Sequence, residues 1–193
     1  MIKIAITGNI ASGKTTVQNI IERRGFKVLD TDKVGHDLLH EMPEIKATFK
    51  NQDIFDKDGK ISREKLGQLV FRNKEAKEKL EQIIHPAIRE KILSFFCKNA
   101  NEEAVFVGIP LLFETNMNDI FDKILLIYTD DTIRKARLMA RNNYTSEYAE
   151  IRMKSQQSQD EKKALCDDII YNNSTQSDLE THVDEFLNRT IKR

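Results

Sequence analysis

The residues of this sequence best suited to chemistry lie in the short segment GNIASGKT, at positions 8–15. The pattern G-x-x-x-x-G-K-[ST], expected by chance in roughly one chain per hundred of this length, is matched by Gly8, Gly13, Lys14 and Thr15. The glycines let N–H groups turn toward a phosphate, the lysine meets the β- and γ-phosphates, and the hydroxyl ligates Mg²⁺. The segment predicts a nucleoside triphosphate site whose ligands are Gly8, Ala11, Ser12, Gly13, Lys14, Thr15 and Thr16.

Such a loop binds phosphate only between a strand and a helix, and the flanking residues predict that arrangement. Ile2–Thr7 is an apolar run typical of a buried strand. Residues 14–24 carry apolar side chains on one face and end before Gly25, as a helix would, and residues 26–30 predict a second strand. Strand, helix and strand in this order indicate a parallel sheet. The helix would direct its positive N-terminal end at the phosphates.

Three further strands and a helical insertion are predicted beyond this start. Residues 104–109 and 123–128 are near-continuous apolar runs, as in strands covered on both faces, and 168–171 predicts the last strand. Between 32 and 101, Lys, Glu, Leu and Ile recur at helical spacing without a convincing strand. The fold class is therefore α/β, with a helical block between the second and third strands.

Local signals place turns and helix ends along this framework. Asp58 and Gly59 predict a turn, and Ser62 and Asn73 are candidate caps for the helices that follow them. Two basic helices are predicted at 132–143 and 146–157. A capping box formed by Ser177 and Glu180 is predicted for the terminal helix.

An acidic pair, Asp30 and Asp32, ends the second predicted strand. In an open parallel sheet, ligands lie beyond the carboxyl ends of the strands, where the phosphate loop also opens. A carboxylate there can accept a proton from an attacking hydroxyl or orient Mg²⁺ through water. The structural alternative is that Asp30 only ends a strand and Asp32 only caps a helix. The nearby phosphate loop favours the functional interpretation.

A GTPase-like switch predicts further motifs that are missing from the sequence. There is no N-K-x-D stretch for guanine and no D-x-x-G after the third predicted strand. That strand instead leads into Ile109-Pro110-Leu111-Leu112-Phe113-Glu114, an apolar segment with one carboxylate. Such a segment suits a bulky substrate better than a switch loop.

Three arginines share one face of the first basic helix, because Arg134, Arg137 and Arg141 are spaced at i, i+3 and i+7. The ordinary interpretation of such residues is a solvated charged face. In a small phosphate-loop protein, they also suit a mobile lid that closes over the phosphates and excludes water. A guanidinium stabilises the charge that develops on a transferring phosphoryl group.

Composition narrows the class of protein. Lysine plus arginine equals aspartate plus glutamate at 31 each, which speaks against nucleic acid or a membrane as partner. We expect no signal peptide and no membrane-spanning segment, and Cys97 and Cys166 lack metal-ligand spacing. We expect a cytoplasmic protein, monomeric or weakly oligomeric, with buried or unreactive thiols.

Seven motifs, in their order along the chain, resemble those of the dephospho-CoA kinase family over nearly the whole chain. They are GNIASGKT, DTD at 30–32, DGKISR at 58–63, LEQIIHP at 80–86, IPLLFE at 109–114, RLMAR at 137–141 and CDDIIYNN at 166–173. The combination of LEQIIHP with IPLLFE is much more specific than the phosphate loop alone. The sequence departs from the family at Asn9 and Ala11, where glycine is usual, and at Thr15, where serine is frequent.

The resemblance implies a kinase of the nucleoside-monophosphate-kinase-like three-layer fold, with ATP as donor and the ribose 3′-hydroxyl of dephospho-CoA as acceptor. It implies a core of residues 1–31, 102–133 and 158–193, an acceptor-binding insertion at 32–101 and a lid at 134–157. Asp32 would be the base, and Lys14 of the phosphate loop would also be catalytic. Arg137 and Arg141 would be catalytic lid residues near the phosphates or the adenine, and Asn172 would lie near the adenine. His85, Leu111, Phe113 and Glu114 would line the acceptor site, together with Asp32.

Alternatives remain for individual residues and for the acceptor. His85 suits a structural role before a proline at a helix break, and Phe113 suits the core as well as stacking on an adenine. Glu114 either contacts the acceptor or orients a lysine. A kinase for a nucleoside monophosphate or another small hydroxyl compound shares the loop, the aspartate and the lid. A nucleotide-dependent switch is disfavoured by the missing guanine and switch motifs.

Overall fold

The computed structural model describes residues 1–191. The last two residues of the segment 158–193, predicted to belong to the core, lie outside the described residues. The chain divides into two compact units, one made of Met1–Asp30 with the chain from Phe96 onward, and the other of Thr31–Phe95.

Five parallel strands form the sheet of the first unit, in the order β2-β3-β1-β4-β5. They are β1 (Ile2–Thr7), β2 (Lys27–Asp30), β3 (Ala104–Gly108), β4 (Lys123–Tyr128) and β5 (Asp168–Tyr171). All five predicted strands and the predicted α/β class are confirmed. The strand β1 lies between β3 and β4, so the loop that follows it opens near the middle of the sheet edge.

The helices connect and cover these strands. In chain order they are α1 (Lys14–Arg23), α2 (Thr31–Glu41), α3 (Pro43–Thr48), α4 (Arg63–Arg72), α5 (Lys74–Lys98), α6 (Asp131–Asn142), α7 (Ser146–Lys154), α8 (Gln159–Lys163) and α9 (Gln176–Thr190). Within the described residues, none of them is both long enough and apolar enough to cross a bilayer.

The core of the first unit lies between the sheet and the helices α1 and α9. Ile20 and Ile21 of α1 pack with Val183 and Phe186 of α9 around Phe106 of β3, and all five are almost fully buried. Apolar burial of this kind supplies most of the folding free energy, about 25 cal/mol per Å². This packing fixes α1, and therefore the loop at its N-terminus, against the sheet.

The second unit is helical, as the sequence predicts. Its core is formed by the buried residues Leu39, Ile45, Phe49, Ile54, Ile61, Leu66 and Ala76. The Ser62 hydroxyl accepts from the N–H of Lys65 at 3.4 Å, and Asn73 Oδ1 accepts from the N–H of Ala76 at 3.0 Å, so both predicted caps are confirmed. The predicted turn at Gly59 is also present, with φ +73° and its N–H donating to Asp56 O.

Two predicted helix ends are wrong. No break occurs at Pro86, which lies inside the 25-residue α5. Proline keeps a helical φ and removes one main-chain donor, and packing of Ile83 and Ile84 on the second core holds the helix together. The capping box of α9 is formed by Thr175 and Asp178, not two residues later. The Thr175 hydroxyl accepts from the N–H of Asp178 at 3.2 Å, while the Asp178 carboxylate accepts from the N–H of Thr175.

Candidate active site

The loop between β1 and α1 has the backbone shape of a phosphate cradle. Ala11 and Gly13 are both left-handed, with φ +62° and +94°. The N–H of Ser12 donates to the oxygen of Asn9 at 3.0 Å, which closes the turn. Ala11 bears a Cβ in a conformation that favours glycine, which costs about 1 kcal/mol. The loop nevertheless keeps this shape with alanine at position 11.

Both motif glycines are required by close contacts. A Cβ on Gly13 would lie 2.2 Å from the Asn172 side-chain nitrogen, and one on Gly8 would lie 2.5 Å from Ser12 Oγ and 2.8 Å from the oxygen of Ile127. Real Cβ atoms do not approach other atoms so closely. Glycine at both positions therefore avoids a steric clash, and at Gly13 it also suits the left-handed backbone.

The first turn of α1 presents the residues expected to act on a nucleotide. Gly13 is the N-cap and has no side chain with which to occupy the N–H groups of this turn. Lys14 is buried, and its Nζ lies 3.5 Å from Gln18 Oε1. Thr15 and Thr16 are exposed beside it. The helix thus offers main-chain donors, one ammonium and two accessible hydroxyls at the mouth of the loop.

Arg134 of α6 supports the loop from one side. Its side chain is buried, and Nε donates to the oxygen of Ile10 at 3.0 Å. Nη1 pairs with Asp131 Oδ1 at 2.7 Å. Burial lowers the pKa of the Arg134 guanidinium, while the charge of Asp131 and its hydrogen bond act in the opposite direction. The cation is therefore held by a carboxylate while it fixes the loop backbone.

The other arginines of that face lie in different environments. Arg137 is half-buried and its Nη2 donates to the oxygen of Asn172 at 3.1 Å. Arg141 is exposed, with its Nε donating to Asn142 Oδ1 at 2.9 Å. The shared face is thus graded from a buried end at Arg134 to a solvent-exposed end at Arg141.

The residues that directly follow β4 and β5 contact the phosphate loop. The side-chain amide of Asn172 donates to the oxygen of Ser12 at 2.8 Å, and the hydroxyl of Thr129 lies 2.9 Å from the same oxygen. The Thr129 hydroxyl is also 3.3 Å from the oxygen of Asn172. These contacts join three loops at one sheet edge.

The segment after α7 contacts the apex of the phosphate loop. The N–H of Ile10 donates to Gln156 Oε1 at 2.7 Å, and the Asn9 side-chain amide donates to the oxygen of Gln157 at 2.8 Å. Arg134 donates to the oxygen of Ile10, so both main-chain polar groups of Ile10 are held by side chains from the two ends of the predicted lid, 134–157.

Buried polar atoms without partners concentrate at this loop. Of the five such side-chain atoms in residues 1–191, four belong to Asn9, Ser12, Gln18 and Arg134. Unmatched buried polar groups are rare in folded proteins, and each calls for an explanation. Four of them lie at or beside the loop predicted to bind phosphate.

The apolar segment after β3 is only partly buried. Leu112 is buried, whereas Leu111 is 37% exposed and Phe113 is half-buried. The carboxylate of Glu114 pairs with Lys162 Nζ at 2.8 Å, so of the two alternatives for Glu114 the structure displays the contact with a lysine.

Asp32 and His85 belong to the second unit. Asp32 is exposed in the first turn of α2, one residue inside the helix rather than at its cap, where a carboxylate is favoured by the helix dipole. Asp30 ends β2, as expected. His85 is half-buried in α5, and burial lowers the pKa of its imidazole, opposed by Glu81.

Sequence reasoning missed several residues that shape the site. Thr129 follows the last residue of β4, and a polar residue at the carboxyl end of a parallel strand was a usable signal. No such signal marks Gln156, Gln159 or Lys162. These residues lie in or just before the short helix α8, and their role depends on contacts with distant parts of the chain.

The loop, its position beside the central strand and the arginine helix define a P-loop protein of the kinase fold. A shikimate kinase from Bacteroides thetaiotaomicron shares that fold, with a TM-score of 0.58 at 10% identity over 97% of each chain. A family model described as dephospho-CoA kinase matches residues 2–178. The chain belongs to the dephospho-CoA kinase family, which confirms the resemblance inferred from its motifs.

Individual relatives agree with this assignment. A dephospho-CoA kinase from Listeria innocua is 38% identical over 96% of this chain and 97% of its own. One from Fusobacterium nucleatum is 39% identical over 95% of each chain. The solved dephospho-CoA kinase from Campylobacter jejuni is 34% identical, with a TM-score of 0.74 over 98% of this chain and 97% of its own.

Proposed function

We propose that this protein transfers the γ-phosphoryl group of ATP to the ribose 3′-hydroxyl of dephospho-CoA, giving coenzyme A and ADP. The observation that carries the proposal is the family match over residues 2–178, which spans the phosphate loop, the DTD segment, the apolar IPLLFE segment and the arginine helix. In the reaction, the 3′-oxygen forms a bond to the γ-phosphorus while the bond to the β–γ bridging oxygen breaks.

ATP binding is assigned to the loop, where Ala11, Ser12 and Gly13 direct main-chain donors at the phosphates. Lys14 supplies positive charge to the β- and γ-phosphates. The exposed Thr15 hydroxyl is a hard oxygen ligand of the kind that Mg²⁺ accepts beside phosphate oxygens, so the residues present fit that ion. When bound, Mg²⁺ neutralises charge on the phosphates. Asn172 follows β5 near the loop and is assigned to the adenine side.

Asp32 is assigned as the base that accepts the proton of the 3′-hydroxyl. Its exposure in the first turn of α2 keeps the carboxylate accessible, directly after the strand whose carboxyl end lies at the phosphate edge. In a loose transition state the proton moves late, so the carboxylate also orients the hydroxyl. His85, Leu111 and Phe113 are assigned to the acceptor side, with Leu111 and Phe113 providing accessible apolar surface.

Arg137 and Arg141 are assigned to the lid. A guanidinium on the transferring group is worth several powers of ten in rate when it is positioned in a dry site. Arg141 is exposed and has freedom to move, whereas Arg137 already contacts the loop that carries Asn172.

The test is release of ADP from Mg-ATP with dephospho-CoA, AMP, CMP, shikimate or no acceptor. We expect rapid turnover with dephospho-CoA alone and a product heavier by one phosphate in the mass spectrum. Lys14→Ala is expected to lose nearly all turnover, because it removes the charge on the transferring group, while Lys27→Ala, an exposed lysine of β2, keeps it. Preference for another acceptor, or slow hydrolysis regardless of acceptor, would reject the proposal.

A further inference from the structure

Lys162 is a fully buried lysine that the proposed reaction does not use. Its side chain, in α8, has 0% exposure. A buried ammonium needs close partners, because it has lost its hydration. Nζ lies 2.8 Å from Glu114 Oε1 and donates to the oxygen of Pro110 at 3.2 Å. Both partners lie in the segment 109–114, so one cation holds two points of it.

The same carbonyl links this segment to the start of the phosphate loop. The oxygen of Pro110 also lies 3.5 Å from Thr7 Oγ1. Thr7 is the last residue of β1, is fully buried, and directly precedes Gly8. The contact network of Lys162 therefore reaches both the apolar segment and the strand that carries the phosphate loop.

The helix α8 also contacts the residues that support the phosphate loop. Gln159 is buried and exchanges two hydrogen bonds with the main chain of Thr129, at 3.2 and 2.8 Å. Its side-chain nitrogen lies 3.0 Å from Asp131 Oδ1, the carboxylate that pairs with Arg134. Gln159 and Lys162 are three residues apart and so share a helix face. One short helix thus connects the support of the phosphate loop to the segment 109–114.

We propose that Lys162 is a positioning residue that sets the segment 109–114 against the phosphate loop, acting through Glu114 and Pro110 rather than on either substrate. The inference rests on the proposed function, in which this segment binds the acceptor. Loss of the ammonium frees the segment to shift and leaves the Glu114 carboxylate without its cation. Acceptor binding and alignment then deteriorate, while the ATP contacts of the loop persist.

The primary test is Lys162→Met, which keeps the length of the side chain and removes its charge, with each substrate varied in turn. We expect kcat/KM for dephospho-CoA to fall about 100-fold, as for a shift of about 1 Å at a reacting group. KM for ATP should stay within about twofold of the wild-type value. Lys163→Met, at the exposed neighbouring lysine, should show neither change. A rise in KM for ATP equal to that for dephospho-CoA, or an unchanged kcat/KM for dephospho-CoA, would overturn the proposal.

A second variant separates positioning from simple stability. In Lys162→Met with Glu114→Gln, no unpaired charge is left behind, so the melting temperature should recover relative to Lys162→Met. The kinetic defect for dephospho-CoA should remain. Recovery of stability and acceptor kinetics together would show that the pair only stabilises the fold. If Lys162→Met does not fold, Glu114→Gln alone should raise KM for dephospho-CoA without raising KM for ATP, and an unchanged KM would overturn the proposal.

The wild-type protein in the same assay distinguishes the two proposals. Absence of wild-type turnover with dephospho-CoA would reject the proposed function. Wild-type turnover with unaltered acceptor kinetics in Lys162→Met would reject only the positioning role.

Discussion

The Asn172 side-chain amide donates to the main-chain oxygen of Ser12 at 2.8 Å, and in doing so it fills the space that a side chain on Gly13 would need. Thr129 contacts the same oxygen, so two residues from the ends of neighbouring strands hold one carbonyl of the phosphate loop. A loop held in this way keeps its N–H groups oriented before the nucleotide arrives. Such preorganisation lowers the free-energy cost of arranging donors at the moment of reaction.

Gly13→Ala is expected to disrupt this contact. The new Cβ would lie 2.2 Å from Asn172 Nδ2 in a backbone with φ +94°. Gly25→Ala is the matched control, since Gly25 has φ +92° but nothing within 4 Å of an added Cβ. The control should lose about 1–2 kcal/mol of the free energy of unfolding, from the left-handed backbone alone. Gly13→Ala should lose clearly more and bind ATP more weakly, as measured by urea unfolding and calorimetry. Equal losses of unfolding free energy in the two variants would show that the close approach of Asn172 to Gly13 does not contribute to stability.

Arg134→Met is expected to affect stability and ATP binding together. It removes the bond to Ile10 O and a charge-assisted pair with Asp131, so the free energy of unfolding should fall by about 1–3 kcal/mol. Arg141→Met, from the exposed end of the same face, should change it by no more than about 0.5 kcal/mol. The Arg141→Met substitution should instead reduce kcat. The reverse pattern would place the lid function at Arg134 and a structural role at Arg141.

Asp32→Asn tests the proposed base without disturbing the helix that carries it. Asparagine keeps the size of the side chain but does not accept the proton, so kcat should fall by about 100-fold or more. Because Asp32 is exposed in the first turn of α2, losing its favourable charge there should lower the free energy of unfolding by no more than about 1 kcal/mol. Asp37→Asn, on the same helix with 69% side-chain exposure, is the control and should keep full activity. An unchanged kcat in Asp32→Asn would leave this residue as a dipole-stabilising carboxylate only.

The strands and the phosphate loop were predictable from sequence because each depends on local signals. Ile2–Thr7 and Lys123–Tyr128 are apolar runs of strand length, and both emerge with their predicted bounds. The break expected at Pro86 failed because packing along a long helix outweighs the loss of one donor. The predicted capping box was wrong by two residues, because Thr175 and Ser177 each carry a hydroxyl with an acidic residue three positions later, and the sequence pattern fits both.

The supports of the site were less predictable than its motif. Arg134 was visible only as part of a basic face, and its burial against Ile10 depends on how α6 packs on the loop. Lys162 carries no local signal, since a lysine in a charged helix is normally solvated. The spacing of residues along the chain does not reveal long-range contacts of this kind.

The two cysteines should differ sharply in reactivity. The sequence predicts thiols that are buried or unreactive, and Cys97 is not buried, because it is exposed on α5. Cys166 is half-buried, and burial, with a smaller contribution from Asp167, raises the pKa of its thiol to about 12. Since only the thiolate reacts, alkylation of Cys166 at pH 8 should be about a thousandfold slower in the folded protein than after unfolding. Peptide mass spectrometry after iodoacetamide treatment should therefore find Cys97 labelled first, with Cys166→Ser as control. Rapid labelling of Cys166 in the folded protein would show that α8 and β5 open readily at this point.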